Sequence, residues 1–236
     1  MFCLDGTGSI SHVSLRHKPK IFNQPYTYSA ISIQGQQNKA RVIEGPVPKS
    51  KIFGAALTGN GLGHTTFGLP RFNSSTFISR FPFGNIQFSD DTFDLNVNLT
   101  GWSPFIPTDE DSSSLPLAAL EYEFTNTSKD SISSVYSFNS INFMTEGSVG
   151  EAILKSEKGF TLWQSPNDSN PEQEGAFNAS VYDDLTLVNC SWFRGGWFDS
   201  QSMAWEDVEK GNYFDKQPVK SGTPSPGASI YVPFEL

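Results

Sequence analysis

Residues 93–100, Phe-Asp-Leu-Asn-Val-Asn-Leu-Thr, alternate apolar and polar without a break. In an extended chain successive side chains point to opposite faces, so four apolar groups share one face and four polar groups the other. A helix would scatter the same residues around its surface. The stretch has to be a half-buried strand, and such a strand needs paired neighbours. Residues 117–124 repeat the pattern, with Ala118, Leu120, Tyr122 and Phe124 facing in and Glu121 and Glu123 facing out. Further strands are predicted over 26–33, 40–44, 76–81, 85–88, 132–138, 141–144, 151–155, 160–164, 176–181, 185–189 and 229–234. Gly, Pro, Asn and Asp separate them, as turns require. About a dozen short strands in this arrangement predict an all-β fold, a large antiparallel β-sandwich with long loops.

Composition supports strands over helices. Aromatics reach 14%, with 20 Phe, and large rings pack well on a pleated surface. One segment alone reads as a helix. Ser202 is placed to cap residues 203–210, Glu206, Asp207 and Lys210 match the dipole, and Gly211 ends it. No linker or internal repeat divides residues 1–236, so a single domain is expected. The longest irregular stretches are 45–72, 103–116, 165–174 and 211–226, and long loops in a compact domain usually carry function or an interface.

Charge excludes several functions. The net charge of −9 repels phosphate backbones and anionic lipid heads, so no nucleic-acid partner is expected. No stretch approaches 18 consecutive apolar residues, so no membrane span is predicted. Residues 1–5 lack a basic region followed by an apolar run, so a soluble chain without a signal peptide is expected. Cys3 and Cys190 are too few for a disulfide framework and are read as two thiols in preference to a bridge. The six Asn-x-Ser/Thr sequons, at Asn73, Asn98, Asn126, Asn167, Asn178 and Asn189, are mostly chance in a chain rich in Asn and Ser.

The search for catalytic chemistry yields no self-sufficient site. Gly59-Asn60-Gly61-Leu62-Gly63 is followed by neither Lys-Ser/Thr nor a helix, and a phosphate cradle needs both. Asp5-Gly6-Thr7-Gly8 precedes a strand, which removes a dinucleotide-binding reading. His12, His17 and His64 lack metal-ligand spacing and no Cys-x-x-Cys is present, so no metal and no cofactor are expected. Asp109-Glu110-Asp111 lacks the alternation of a calcium loop and reads as a solvated acidic turn. Glu121 and Glu123 share one strand face, as paired carboxylates for glycosidic chemistry would, but an exposed polar face explains them as well.

One loop stands apart. Gly101-Trp102-Ser103-Pro104-Phe105-Ile106-Pro107-Thr108-Asp109 is stiffened by two prolines and carries three large apolar side chains. Such a loop should be packed on something, either this domain or another. It also carries a resemblance. Together with Ser113-Ser114-Leu115-Pro116 and the Glu-Tyr-x-Phe-x-Asn of residues 121–126, it resembles the N-terminal domain of glycoside hydrolase family 116. That family holds the non-lysosomal, bile-acid-type glucosylceramidases and bacterial β-glucosidases. Gly6-Thr7-Gly8-Ser9-Ile10, Arg41-Val42-Ile43-Glu44-Gly45, Leu69-Pro70-Arg71-Phe72, Arg80-Phe81-Pro82-Phe83, Ser137-Phe138-Asn139-Ser140 and Asn142-Phe143 fit the same pattern. The resemblance runs from Phe2 to Leu236.

The resemblance implies an N-terminal β-sandwich joined to a C-terminal (α/α)6 barrel, in retaining enzymes that cleave β-linked glucose or related sugars. The nucleophilic Glu and the acid/base Asp belong to the barrel, and no family catalytic residue maps onto this chain. Residues 231–236 read as a late sandwich strand, so the barrel is expected to lie outside these 236 residues. The first expectation is a non-catalytic module that supports the barrel. Its interface or sugar-proximal candidates are Trp102, Pro104, Phe105, Ile106, Asp109, Trp197 and Trp205. The alternative is a stand-alone carbohydrate-binding sandwich that stacks β-linked glycans on its tryptophans. The third is an independent hydrolase using Glu121 and Glu123.

Overall fold

A computed structural model describes residues 1–15, 18–36, 39–51, 66–145 and 152–236. His17, Glu151, the Gly59–Gly63 run and His64 lie outside them. In chain order the strands begin β1 (Phe2–Leu4), β2 (Ile10–Leu15), β3 (Lys18–Phe22), β4 (Thr27–Ile33) and β5 (Ala40–Val42). They continue β6 (Ser74–Arg80), β7 (Phe83–Ser89), β8 (Leu95–Trp102), β9 (Ala119–Asn126) and β10 (Ser133–Ile141). The last are β11 (Ile153–Ser156), β12 (Gly159–Gln164), β13 (Gly175–Ser180), β14 (Leu187–Asn189) and β15 (Gly227–Glu235). Two α-helices, α1 (Glu110–Ser113) and α2 (Ser200–Glu209), interrupt them. The fold is all-β, built from antiparallel sheets in sandwich fashion.

Backbone contacts divide the chain into two units. The first comprises Met1–Pro25, Arg41–Ser131 and Leu236, and the second Tyr26–Ala40 and Ile132–Glu235. In the first unit, β6-β7-β8-β9 form a meander and β1-β2-β3 a small sheet. The alternating run is β8, and its register places Leu95, Val97 and Leu99 on one face with Ile86 and Phe88 of β7. That face is buried. Phe72 closes over it, with ring centres 5.6 Å from Phe88 and 5.5 Å from Phe93. Ion pairs hold the connecting chain. Arg41 Nε donates to Asp90 Oδ2 at 2.8 Å, Arg71 Nε to Glu44 Oε2 at 3.3 Å, and Lys51 pairs with Asp5.

In the second unit, one sheet runs β14-β15-β10-β4-β5 and a smaller one β11-β12-β13. Strand β10 lies between β4 and β15 with nine consecutive pairs on one side and seven on the other. Its alternate residues therefore face two different coverings. Phe138 meets Phe160 of β12 in a stacked pair with centres 6.3 Å apart. On that face the Tyr136 hydroxyl lies 3.0 Å from Ser29 Oγ, and burial pushes its pKa up to about 12. The opposite face carries Ser137, Asn139, Ser229 and Tyr231, and α2 packs on that sheet at β4 and β10. There the Trp192 indole N–H donates to Ser229 Oγ at 2.9 Å. Ser229 Oγ donates to Asn139 Oδ1 at 2.7 Å, and Asn139 Nδ2 donates to Ser137 Oγ at 2.9 Å. The approach is so close that a Cβ on Gly227 would stand 2.5 Å from Ser140 O and from the Trp192 ring.

Two sequence expectations are corrected. Residues 132–138 and 141–144 are not two strands: β10 runs unbroken to Ile141, and 142–144 form no strand. The polar residues between them stay in the sheet because Asn139 bonds Ser137 and Ser229, and the Ser140 hydroxyl donates to Ile141 O at 2.9 Å. The helix begins earlier than Met203. Asp199, not Ser202, is the N-cap, and its carboxylate accepts from the Ser202 N–H at 2.9 Å. Gly211, at φ +65°, does end it. Residues 109–111 are the solvated acidic turn expected, with Asp109 as the N-cap of α1. Cys3 is half-buried and Cys190 buried, and both thiols are free. Burial pushes the Cys190 thiol up to about 11, which leaves it unreactive.

The chain of hydrogen bonds through Ser229 yields a test. Ser229→Ala leaves the Trp192 N–H and the Asn139 carbonyl without a partner in a dry interior. The expected loss is about 1–3 kcal/mol for each orphaned group, read from the urea midpoint at unchanged m-value. An unmoved midpoint would refute the role given to this network.

Candidate functional site

The meander begins with a hairpin whose register pairs Arg80 with Phe83, so Phe81 and Pro82 form its two-residue turn. Gly84 pairs with Gly101. Phe83 and Trp102 each lie one residue beyond that pair, so the hairpin tip and the loop after β8 are neighbours. The loop then braces itself. The Ser113 hydroxyl accepts from the Ile106 N–H at 3.0 Å and donates to Ile106 O at 3.1 Å. Asp109 Oδ1 accepts from the Ser112 N–H at 3.0 Å and Oδ2 from the Ser112 hydroxyl at 2.8 Å. The Ser112 backbone and side-chain bonds hold the Asp109 carboxyl below its ordinary range. Asp109 thus shapes the loop as the cap of α1.

The apolar side chains that this bracing presents are uncovered. Phe105 is 49% exposed and Ile106 50%, so the proline-held loop does not fold back on the described residues. Phe81, at 77%, meets Phe105 edge-to-face with ring centres 4.9 Å apart. Phe77, Ile78, Phe83, Leu115 and Leu117 are also exposed. Pro104 and Trp102 are half-buried, and the Trp102 indole N–H donates to Glu121 Oε1 at 2.8 Å. Geometry thus gathers Trp102, Pro104, Phe105, Ile106 and Asp109 in one region and adds Phe81 and Phe83. The signal for those two lay in the sequence: a two-residue turn at Pro82, flanked by rings instead of the usual polar residues.

Trp197 and Trp205 belong to the second unit. Trp197 is 95% exposed, ahead of the α2 cap, where Phe193 and Phe198 meet edge-to-face at 6.1 Å. Trp205 is 8% exposed and lies on the inner side of α2 with Gln201, Ala204 and Val208. The remaining tryptophans are engaged: Trp192 in the network above, and Trp163 by its N–H to Ser165 Oγ at 3.1 Å.

Glu121 and Glu123 do face out from β9. Each accepts a neutral donor from β8: Trp102 for Glu121, and Asn98 Nδ2 at 3.0 Å for Glu123. They lie on an open sheet face. Among the described residues, no three or more His, Cys, Asp and Glu gather as a metal centre. His12 packs its ring edge-to-face on Phe22 at 4.6 Å. Asn189 of the sequon set is buried.

The family model described as "beta-glucosidase 2, glycosyl-hydrolase family 116 N-term" matches residues 1–236. The chain therefore belongs to the N-terminal family of glycosyl-hydrolase family 116. No curated protein matches it.

The Asp109 cap can be tested by pH. A carboxyl whose folded pKa is lowered contributes fully above its ordinary value of 3.8, and that contribution fades as pH falls through the folded value. The protection of the Ser112 and Ser113 amides, taken against their intrinsic exchange rate at each pH, should be high at neutral pH and fall on acidification. Asp109→Ala should lower it at neutral pH with little change in global melting. Equal protection in wild type and variant would show that the loop is held by something else.

Proposed function

We propose that this chain is the non-catalytic N-terminal sandwich of a retaining β-glucosidase of the glucosylceramidase type, and that it docks and supports a catalytic (α/α)6 barrel. The observation that carries this reading is the braced aromatic surface of Phe81, Phe105 and Ile106. Large apolar groups on a soluble protein's surface collect where another protein surface covers them. A surface already rigid loses little entropy when it is covered. Family membership supplies the partner's kind, because the family is the N-terminal part of a β-glucosidase. The exposed ring of Trp197 is a further contact candidate.

A barrel domain of the same family, produced separately and mixed with this chain, should form a complex. Phe81→Ser with Phe105→Ser should weaken it about tenfold or more, which is about 1.4 kcal/mol, while leaving the melting temperature of the chain unchanged. Absence of a complex would remove the reading. The chain alone should not hydrolyse aryl β-glucosides. Turnover above background that disappears in Glu121→Gln and Glu123→Gln would favour the independent hydrolase instead.

A further inference from the structure

The second unit contains a cavity of about 230 Å³ bounded by α2 and the β14 side of its larger sheet. Small-molecule sites commonly run to about 300–1,000 Å³, so this one is sized for a single small ring. Aromatic walls come from Trp192, Phe193 and Tyr231, and polar groups from Asn189, Asp207 and Lys216.

The fold fixes each of these groups. Trp192 cannot turn, because its N–H is held by Ser229 and its ring lies against Gly227. Lys216 is delivered beside Asn189 by a parallel bridge, with the Cys190 N–H donating to Lys216 O and the Lys216 N–H to Val188 O, both at 3.0 Å. Asp207 stands one turn beyond Met203 on the half-exposed side of α2. Its Oδ1 accepts from Asn212 Nδ2 at 3.3 Å, and among the described residues no other side-chain hydrogen bond engages the carboxylate. Tyr231 also lines the cavity, and its hydroxyl is buried beside Ser229 and Asn189.

The chemistry selects the guest. One carboxylate and one ammonium cancel, so neither a strong anion nor a cation is favoured. Asp207 brings a carboxylate acceptor, Asn189 an amide and Lys216 an ammonium that stands 4.4 Å over the Phe214 ring, a mixture that suits hydroxyl groups, which both donate and accept. The rings suit the C–H face of a saturated ring. We propose that this cavity binds one neutral, hydroxyl-rich ring of monosaccharide size. The inference goes beyond the docking role. Phe81 and Phe105 belong to the other unit, so a failure here would leave domain docking untouched.

The test titrates the 236-residue chain with methyl β-glucopyranoside, myo-inositol and glucose 6-phosphate, followed by amide NMR shifts. At least one neutral ring should bind saturably at millimolar concentration, with shifts centred on Asn189, Trp192, Phe193 and Lys216. The phosphorylated sugar should bind no more tightly. Asp207→Ala should weaken binding about tenfold. Met203→Trp, which fills the cavity, should abolish it with the melting temperature kept. Lack of saturable shifts with both neutral rings, shifts centred elsewhere, tighter binding of the phosphate, or unchanged affinity in Met203→Trp would each overturn the proposal.

Discussion

Strand β10 is hydrogen-bonded along both edges and covered on both faces, yet it carries four serines and an asparagine over Ser133–Ile141. A buried polar side chain without a partner costs about 1–3 kcal/mol. The strand is tolerable because most of its polar groups are spent on neighbours: Asn139 on Ser137 and Ser229, Tyr136 on Ser29 and Ser140 on Ile141 O, which leaves the Ser134 hydroxyl buried without such a bond among the described residues. These bonds also lock register. A slip of one residue would turn Phe138 away from Phe160 and put Asn139 in its place, against an aromatic ring. The positions of β4 and β15, the seat of α2 and the orientation of Trp192 all follow from that lock.

The same strand shows why part of the fold escapes sequence reading. Period-two alternation locates β8 and β9 to within two residues, because one face of each is wet and the pattern is clean. A strand buried on both faces loses the alternation. Its internal Asn139 and Ser140 then resemble a break, and a break is what the sequence reading puts between 138 and 141. Only the partners, 90 residues away at Ser229 for one of them, reveal that the polar residues belong inside. Of the small β1-β2-β3 sheet the sequence reading places only the strand after Gly8, for a related reason, since short strands with Pro19 and two bulged registers carry little periodicity.

The functional surface divides along similar lines. That the loop of Trp102, Pro104, Phe105 and Ile106 is stiff and apolar can be read from its prolines. That it stays uncovered cannot, because exposure depends on what the rest of the chain places over it. Trp197 and Trp205 make the point in opposite directions. They are eight positions apart and alike in composition of surroundings, yet one is bare and the other buried. The deciding residue is Asp199. By capping α2 there, it leaves Trp197 outside the helix, while Trp205 shares the inner face with Ala204 and Val208 by helical spacing.

Bracing explains how an apolar loop can stay exposed without being a liability. Flexible apolar segments seek any partner, including another copy in an extended pairing. Here the backbone of Ile106 is already occupied by the Ser113 hydroxyl and that of Ser112 by Asp109. Little remains for strand addition. What is offered to a partner is side-chain shape: Phe81 set edge-on to Phe105, with Ile106 beside them in sequence. Shape of this kind favours one complementary surface over many. The docking role proposed for this surface would need that selectivity, and it follows here from a carboxylate cap and one serine more than from the apolar residues themselves.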